Sequence, residues 1–259
     1  MNRRPPLGLL LPGLVGLAFL VLPLVGLLVR TPWRRLPQEL SGGVVWPALR
    51  LSLETATLAT AVALVLGVPL AWLLARTEFP GRRLVRTLVT VPLVMPPVVG
   101  GVALLLVFGR NGVVGRWLDS AFGVTLPFTT AGVVVAEAFV AMPFLVLSVE
   151  GALRAADPRF EEAAATLGAS RMLTFRRVTL PLVAPGLAAG GVLAWARALG
   201  EFGATITFAG NFPGTTQTMP LAVYLALQDD PAAAICLSVV LLTVSIAVLA
   251  SLRGRWSTA

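Results

Sequence analysis

Six apolar runs, each about 20 residues long, decide what this chain can become. They cover residues 7–29, 51–75, 84–107, 131–153, 182–208 and 232–252. In hydrocarbon a run of this length satisfies its own backbone amides only as a helix, since no water is present to do so. The composition agrees: 57% of the 259 residues are hydrophobic and 12% are charged, against about 25% charged in a soluble domain. The sequence therefore predicts an all-α polytopic membrane protein with six transmembrane helices. The first run follows Arg3 and Arg4 and has the look of a signal peptide. It is long, however, Pro12 and Pro23 interrupt it, and no small-residue cleavage site follows, so it reads as a retained helix. Pro92, Pro96 and Pro97 should kink or break the third helix, and Pro69 and Pro143 should act more mildly.

Arginine placement predicts the orientation. With the N-terminus inside, the inner segments hold Arg3, Arg4, Arg76, Arg82, Arg83, Arg86, Arg154, Arg159, Arg171, Arg176, Arg177, Arg253 and Arg255. The outer segments hold Arg30, Arg34, Arg35, Arg50, Arg110 and Arg116, and Arg197 falls within the fifth run. The inner excess favours both termini in the cytoplasm. The net charge of +8 thus reads as membrane orientation and not as nucleic-acid binding.

Absent residue types exclude chemistry. The chain has no Lys, hence no P-loop lysine or Schiff base, and no His, hence no Ser-His-Asp triad or histidine metal site. The single cysteine, Cys236, cannot form an internal disulfide. No catalytic residue and no metal ligand set is expected, and any ATP hydrolysis must reside on another chain.

The loop 157–181 has structure of its own. Asp157 can cap a helix, and Pro158 suits its first position. Phe160, Ala163, Ala164 and Leu167 recur at helical spacing and make one apolar stripe. Gly168 is placed to end the helix in the left-handed conformation. A second amphipathic stretch, 172–178, follows, and Pro181 marks the entry to the fifth run. Such a helix either docks in a partner's groove or lies on lipid headgroups.

The spacing here resembles a known family. Glu162-Ala163-Ala164, three residues, Gly168, nine residues, then Val178-Thr179-Leu180-Pro181 is similar to the "EAA" loop of permease subunits of binding-protein-dependent ABC importers; Val178 for Ile is the one departure. Arg76-Thr77-Glu78-Phe79-Pro80-Gly81-Arg82, preceded by Leu66-Gly67-Val68-Pro69-Leu70-Ala71, also resembles the type I members. The resemblance implies a type I importer transmembrane domain over 49–252. Residues 1–48 are then an additional helix and outer loop, 154–181 a coupling loop, and 253–259 a cytoplasmic tail. It further implies that Glu162, Ala163, Ala164, Leu167, Gly168 and Arg171 dock on an ATPase. The implied assembly is a homodimer in a bacterial or archaeal cytoplasmic membrane. Two ATPase subunits carry ATP and Mg, and a periplasmic or lipid-anchored oxyanion-binding protein meets the outer side. The chain itself carries no cofactor.

A second segment addresses the cargo. In 198–211 three glycines surround Glu201, which predicts an irregular membrane helix with close backbone approach. Threonines and Asn211 give its outer end neutral hydrogen-bond groups, a lining that suits a deprotonated oxyanion. Gly200-Glu201-Phe202-Gly203-Ala204-Thr205-Ile206-Thr207-Phe208 and the later Thr218-Met219-Pro220 resemble molybdate permease subunits, with tungstate inseparable. Sulfate or thiosulfate permeases are the alternative. Glu201, Thr205, Thr207 and Asn211 are the candidate pathway or gate residues. Arg197 and Glu201, four apart, can instead pair on one helix face. An ion channel would lack the docking loop, and an intramembrane enzyme would have only Glu137 and Glu201 to work with.

Overall fold

The computed structural model describes residues 7–253; Arg3, Arg4, Arg255 and nearly all of the 253–259 tail lie outside them. Among the described residues the chain is helical, without strands. In order, the elements are α1 (Leu7–Arg30), α2 (Leu36–Ser41), α3 (Val45–Arg76), α4 (Arg82–Val94), α5 (Pro97–Phe108), α6 (Val113–Phe122), α7 (Thr130–Ala155) and α8 (Arg159–Thr166). Then come α9 (Arg171–Thr174), a π turn (Phe175–Thr179), α10 (Leu180–Leu199), α11 (Gly203–Phe208), α12 (Met219–Asp229) and α13 (Pro231–Arg253). Among the described residues five helices are long and apolar enough to cross a membrane, or six if α4 and α5 count as one bent span.

The core is made by α3, α7 and α10, and its contact residues are small. Ala56, Ala59, Ala63 and Ala71 of α3 meet Ala138, Ala141, Leu145 and Val149 of α7 and Ala194 and Ala198 of α10. In lipid, no hydrophobic force drives helices together, so close backbone approach must supply the attraction. A Cβ at Gly190 would lie 2.9 Å from that of Ser148, and one at Gly186 would collide with Ala152. The Ser148 hydroxyl donates to the Gly186 carbonyl at 3.0 Å, and the Trp195 indole donates to Thr57 Oγ1 at 3.3 Å. By contrast, α1 leaves its apolar surface exposed along its length.

Three expected runs take a different form. The second begins earlier, at Val45; α3 has 32 residues, about 48 Å, longer than a hydrocarbon layer of about 30 Å. The third breaks between Val94 and Pro97, and its halves are bent by 119°. Pro96 and Pro97 have no amide hydrogen to continue the ladder of α4. The fifth is not entered at Pro181: helix runs without a gap from Arg171 to Leu199. Pro181 lacks the N–H that would bond Arg177, and the π turn absorbs the defect, with the Leu180 N–H reaching back to the Phe175 carbonyl. This helix then stops at Gly200, and α11 resumes at Gly203.

The two breaks lie against each other. A Cβ at Gly203 would meet Pro97 Cβ at 2.9 Å, and one at Gly101 would meet Thr207 Cβ at 2.6 Å and the Ala204 carbonyl at 2.9 Å. Contacts that advance together along both helices mean that α5 and α11 run side by side in the same direction. Gly101→Ala should therefore lower the thermal unfolding midpoint of the detergent-solubilised protein, at a cost of about 1–3 kcal/mol. Gly191→Ala, where an added Cβ meets nothing within 4 Å, should leave the midpoint unchanged or raise it.

Candidate functional site

The loop helix forms as its residues dictate. The Asp157 carboxylate accepts the Arg159 N–H at 3.0 Å, and Pro158 occupies the capping position just ahead of the first helical residue. At the other end Gly168 has φ +83°, the Gly168 N–H bonds the Ala165 carbonyl, and the Ala169 N–H bonds the Ala164 carbonyl, both at 3.0 Å. These are the paired bonds of a Schellman ending, which needs a residue free to adopt positive φ. Its apolar residues are not covered. Phe160 is 56% exposed and Leu167 88%, Ala163 is exposed, and Ala164 is half-buried. Glu162 and Arg171 are also exposed, so the six predicted docking residues lie on one short, largely uncovered segment.

An arginine cluster surrounds the base of this segment. Arg82 donates Nε and Nη2 to the Leu74 carbonyl at 2.9 and 2.6 Å, and Arg86 adds a third bond at 3.4 Å. The last turn of a helix has carbonyls without partners and a partial negative charge, so guanidinium groups cap it well. Arg86 and Arg154 share Glu150, at 2.6 and 2.9 Å, and Glu150 is 4% exposed. Glu161, beside the predicted Glu162, accepts from Arg76 and from Thr179 Oγ1 at 3.0 Å. Sequence reasoning passed over Glu161 because its partners lie 85 and 18 positions away. Its one local signal is that it falls off the apolar stripe.

The predicted pathway residues sit at the break after α10. Glu201 is 1% exposed, and both its oxygens are committed. Oε2 meets Arg197 Nη2 at 2.6 Å, and Oε1 accepts the Ala204 N–H at 2.8 Å, capping α11. Thr207 donates to the Gly203 carbonyl at 2.8 Å. Thr205 is fully buried, and its hydroxyl, like Asn211 Oδ1, has no hydrogen-bond partner among the described residues. Thr216 turns to the loop itself, accepting the Phe212 N–H at 2.9 Å. The structure thus brings Glu201, Thr205 and Thr207 onto one broken segment, but Glu201 and Thr207 are bound within it. Nearby, Ser52 Oγ accepts the Met219 N–H at 2.7 Å, and Thr55 donates to Glu137 at 3.0 Å. These contacts join α3 to α12 and α7 across 167 and 82 positions, too far apart for any local pattern to mark them.

Residues 67–256 match the family described as binding-protein-dependent transport system inner membrane component. The chain belongs to that family. This permease is therefore a multi-pass inner-membrane transport subunit and not an enzyme. It is 47% identical over 245 residues to the molybdenum transport system permease protein ModB of Mycobacterium tuberculosis, covering 95% of this chain and 92% of that protein. It is 39% identical over 246 residues to the sulfate transport system permease protein CysT of Escherichia coli, covering 91% and 88%. Among solved structures, a bacterial alginate ABC transporter in complex with an alginate-bound periplasmic protein aligns with a TM-score of 0.71 at 19% identity, over 92% of this chain and 90% of that one. That likeness speaks for the type I fold.

Because the Glu201 carboxylate is buried and twice bonded, its two partners can be separated by mutation. Arg197→Met should cost about 3 kcal/mol or more, by leaving a buried charge unpaired. Arg197→Met combined with Glu201→Gln should recover most of that loss, since the glutamine oxygen still caps α11. Thermal unfolding of the purified permease checks both.

Proposed function

We propose that this chain is the membrane subunit of an ABC importer for molybdate, and that α8 is the element through which a separate ATPase drives it. The observation that carries the docking reading is the exposed apolar face of α8. A short helix held folded at both ends by Asp157 and Gly168, with Phe160 and Leu167 in the open, suits insertion into a partner's groove. Glu162 and Arg171 border that face and supply polar contacts. The arginines gathered at the same end, Arg76, Arg82, Arg86 and Arg154, favour that end as cytoplasmic. In this orientation Arg50, Glu54 and the 211–218 loop face outward.

The cargo reading rests on the relatives. Identity is 47% to a molybdenum permease and 39% to a sulfate permease over nearly the same length. Tungstate, alike in charge and shape, should share the route. A second copy of the chain completes the pathway, and an oxyanion-binding protein delivers the ion to the outer loops. The alginate transporter, solved with its periplasmic protein, is the analogy for that delivery. ATP and Mg bind on the ATPase. Closure of the ATPase pair and delivery of the anion then bias one two-state membrane structure from opposite sides. Glu201 and Arg197 fix the broken helix beside the pathway, while Thr205 and Asn211 offer neutral polar groups to the ion. A dianion held only by neutral groups binds weakly enough to leave.

Two experiments test this reading. Gly168→Asp, which forces a side chain into a φ of +83°, and Glu162→Lys should abolish uptake and co-purification of the ATPase while membrane insertion persists. ATP-driven accumulation of labelled molybdate in proteoliposomes should be competed by tungstate and not by sulfate; competition by sulfate alone would reassign the cargo.

A further inference from the structure

We infer that Glu161 is a positioning residue for transport, a latch that makes α8 move as one body with the membrane helices α3 and α10. The inference rests on α8 being the ATPase-docking helix and adds how a push on that helix enters the membrane domain.

Little else holds α8. None of its residues is buried, and none joins an apolar core cluster. A cavity of about 580 Å³ lies beside these contacts, bordered by Trp72 and Phe175 as well as by Glu161 and Arg76. Its two connections to the bundle are short non-helical stretches, at residues 156–158 and 167–170. Such segments bend before they transmit force. Among the described residues, every side-chain hydrogen bond from α8 to a transmembrane helix ends on Glu161.

Glu161 is also bonded to the right places. Its Oε1 lies 3.2 Å from Arg76 Nη2 and 3.3 Å from Arg76 Nε, in the last turn of α3. The same oxygen accepts from Thr179 Oγ1 at 3.0 Å, in the π turn at the base of α10. Arg76 in turn donates to the Ala156 carbonyl at 3.3 Å, holding the end of α7. The ion-pair side chains are only 15% and 21% exposed, and Thr179 is 1% exposed. At that burial water screens the pair less than it does a surface one. One carboxylate thus ties α8 to two of the three core helices, and its arginine reaches the third. The π turn adds a further reason for the site. Its ladder is already irregular, so it is a natural place for α10 to yield unless it is pinned.

The test uses the full complex with its ATPase in lipid. Spin labels at Thr166→Cys and Leu182→Cys, in a Cys236→Ala background, report the separation of α8 from α10. With Glu161 present the distance distribution should be narrow and should stay the same when vanadate traps the ATPases. With Glu161→Ala it should broaden or split on trapping, and Glu161→Gln, which keeps an acceptor, should fall between. In proteoliposomes molybdate imported per ATP hydrolysed should fall about fivefold or more for Glu161→Ala and Arg76→Met, within the ordinary range of coupling energies. The swap Glu161→Arg with Arg76→Glu should restore part of it. Unchanged distances and an unchanged import-to-ATP ratio in Glu161→Ala would overturn the latch alone. A wild-type chain that never retains the ATPase would overturn the docking reading and the latch with it. Wild-type complexes that hydrolyse ATP but import no molybdate would refute the cargo, while the distances would still judge the latch.

Discussion

Two membrane helices of this permease are broken, and the structure depends on each break satisfying its own backbone and packing against the other. Within hydrocarbon an interrupted helix leaves amide and carbonyl groups that water cannot reach, each costing several kcal/mol. The chain ends α4 at a pair of prolines, neither of which has an N–H in need of an acceptor, and restarts as α5. It ends α10 at Gly200 and restarts α11 with the Glu201 carboxylate on the Ala204 N–H. Gly101 and Gly203 then let the two restarted helices touch backbone to backbone. A buried carboxylate at such a place must have a cation, and Arg197, one turn back, supplies it. The ion pair inside the membrane is thereby explained by the break itself.

At the other end of the molecule the same physics runs in reverse. The helix α8 has its ends satisfied and its apolar face bare, the form that suits insertion into a partner's groove. The arginine cluster beneath it caps α3, neutralises Glu150 and reaches Glu161. Helix capping and attachment of α8 therefore use one set of side chains, the set that faces the cytoplasm in the proposed orientation. In the proposed mechanism the core of α3, α7 and α10 is the stiff body between the ATPase and the broken helices, and its alanine-rich contacts allow little slack.

Much of this was legible in the sequence. Apolar length marked the spans, prolines 96 and 97 the break in the third run, and the glycines around Glu201 the break in the fifth. Asp157 and Gly168 marked the ends of α8 because capping chemistry is local. The Arg197–Glu201 pair was readable for the same reason, being four residues apart on one helix. What escaped was the continuation of helix from Arg171 through Pro181, since a π turn has no sequence signature of its own. Also hidden were contacts that only folding creates, such as Glu161 with Arg76, Thr55 with Glu137, and Ser52 with the Met219 amide. The threonines that looked like a uniform polar lining divide in the structure. Thr207 and Thr216 serve the backbone, and Thr205 keeps an unpartnered hydroxyl.

The central claim is that α8 is a folded element on the cytoplasmic side whose bare face is covered by an ATPase. Labelling by a membrane-impermeant maleimide tests it directly, at Leu167→Cys in a Cys236→Ala background. The thiol should react in inside-out vesicles stripped of the ATPase, become protected when the ATPase is added back, and stay unreactive in intact spheroplasts. Labelling from the outer face, or an equal rate with and without the ATPase, would contradict it.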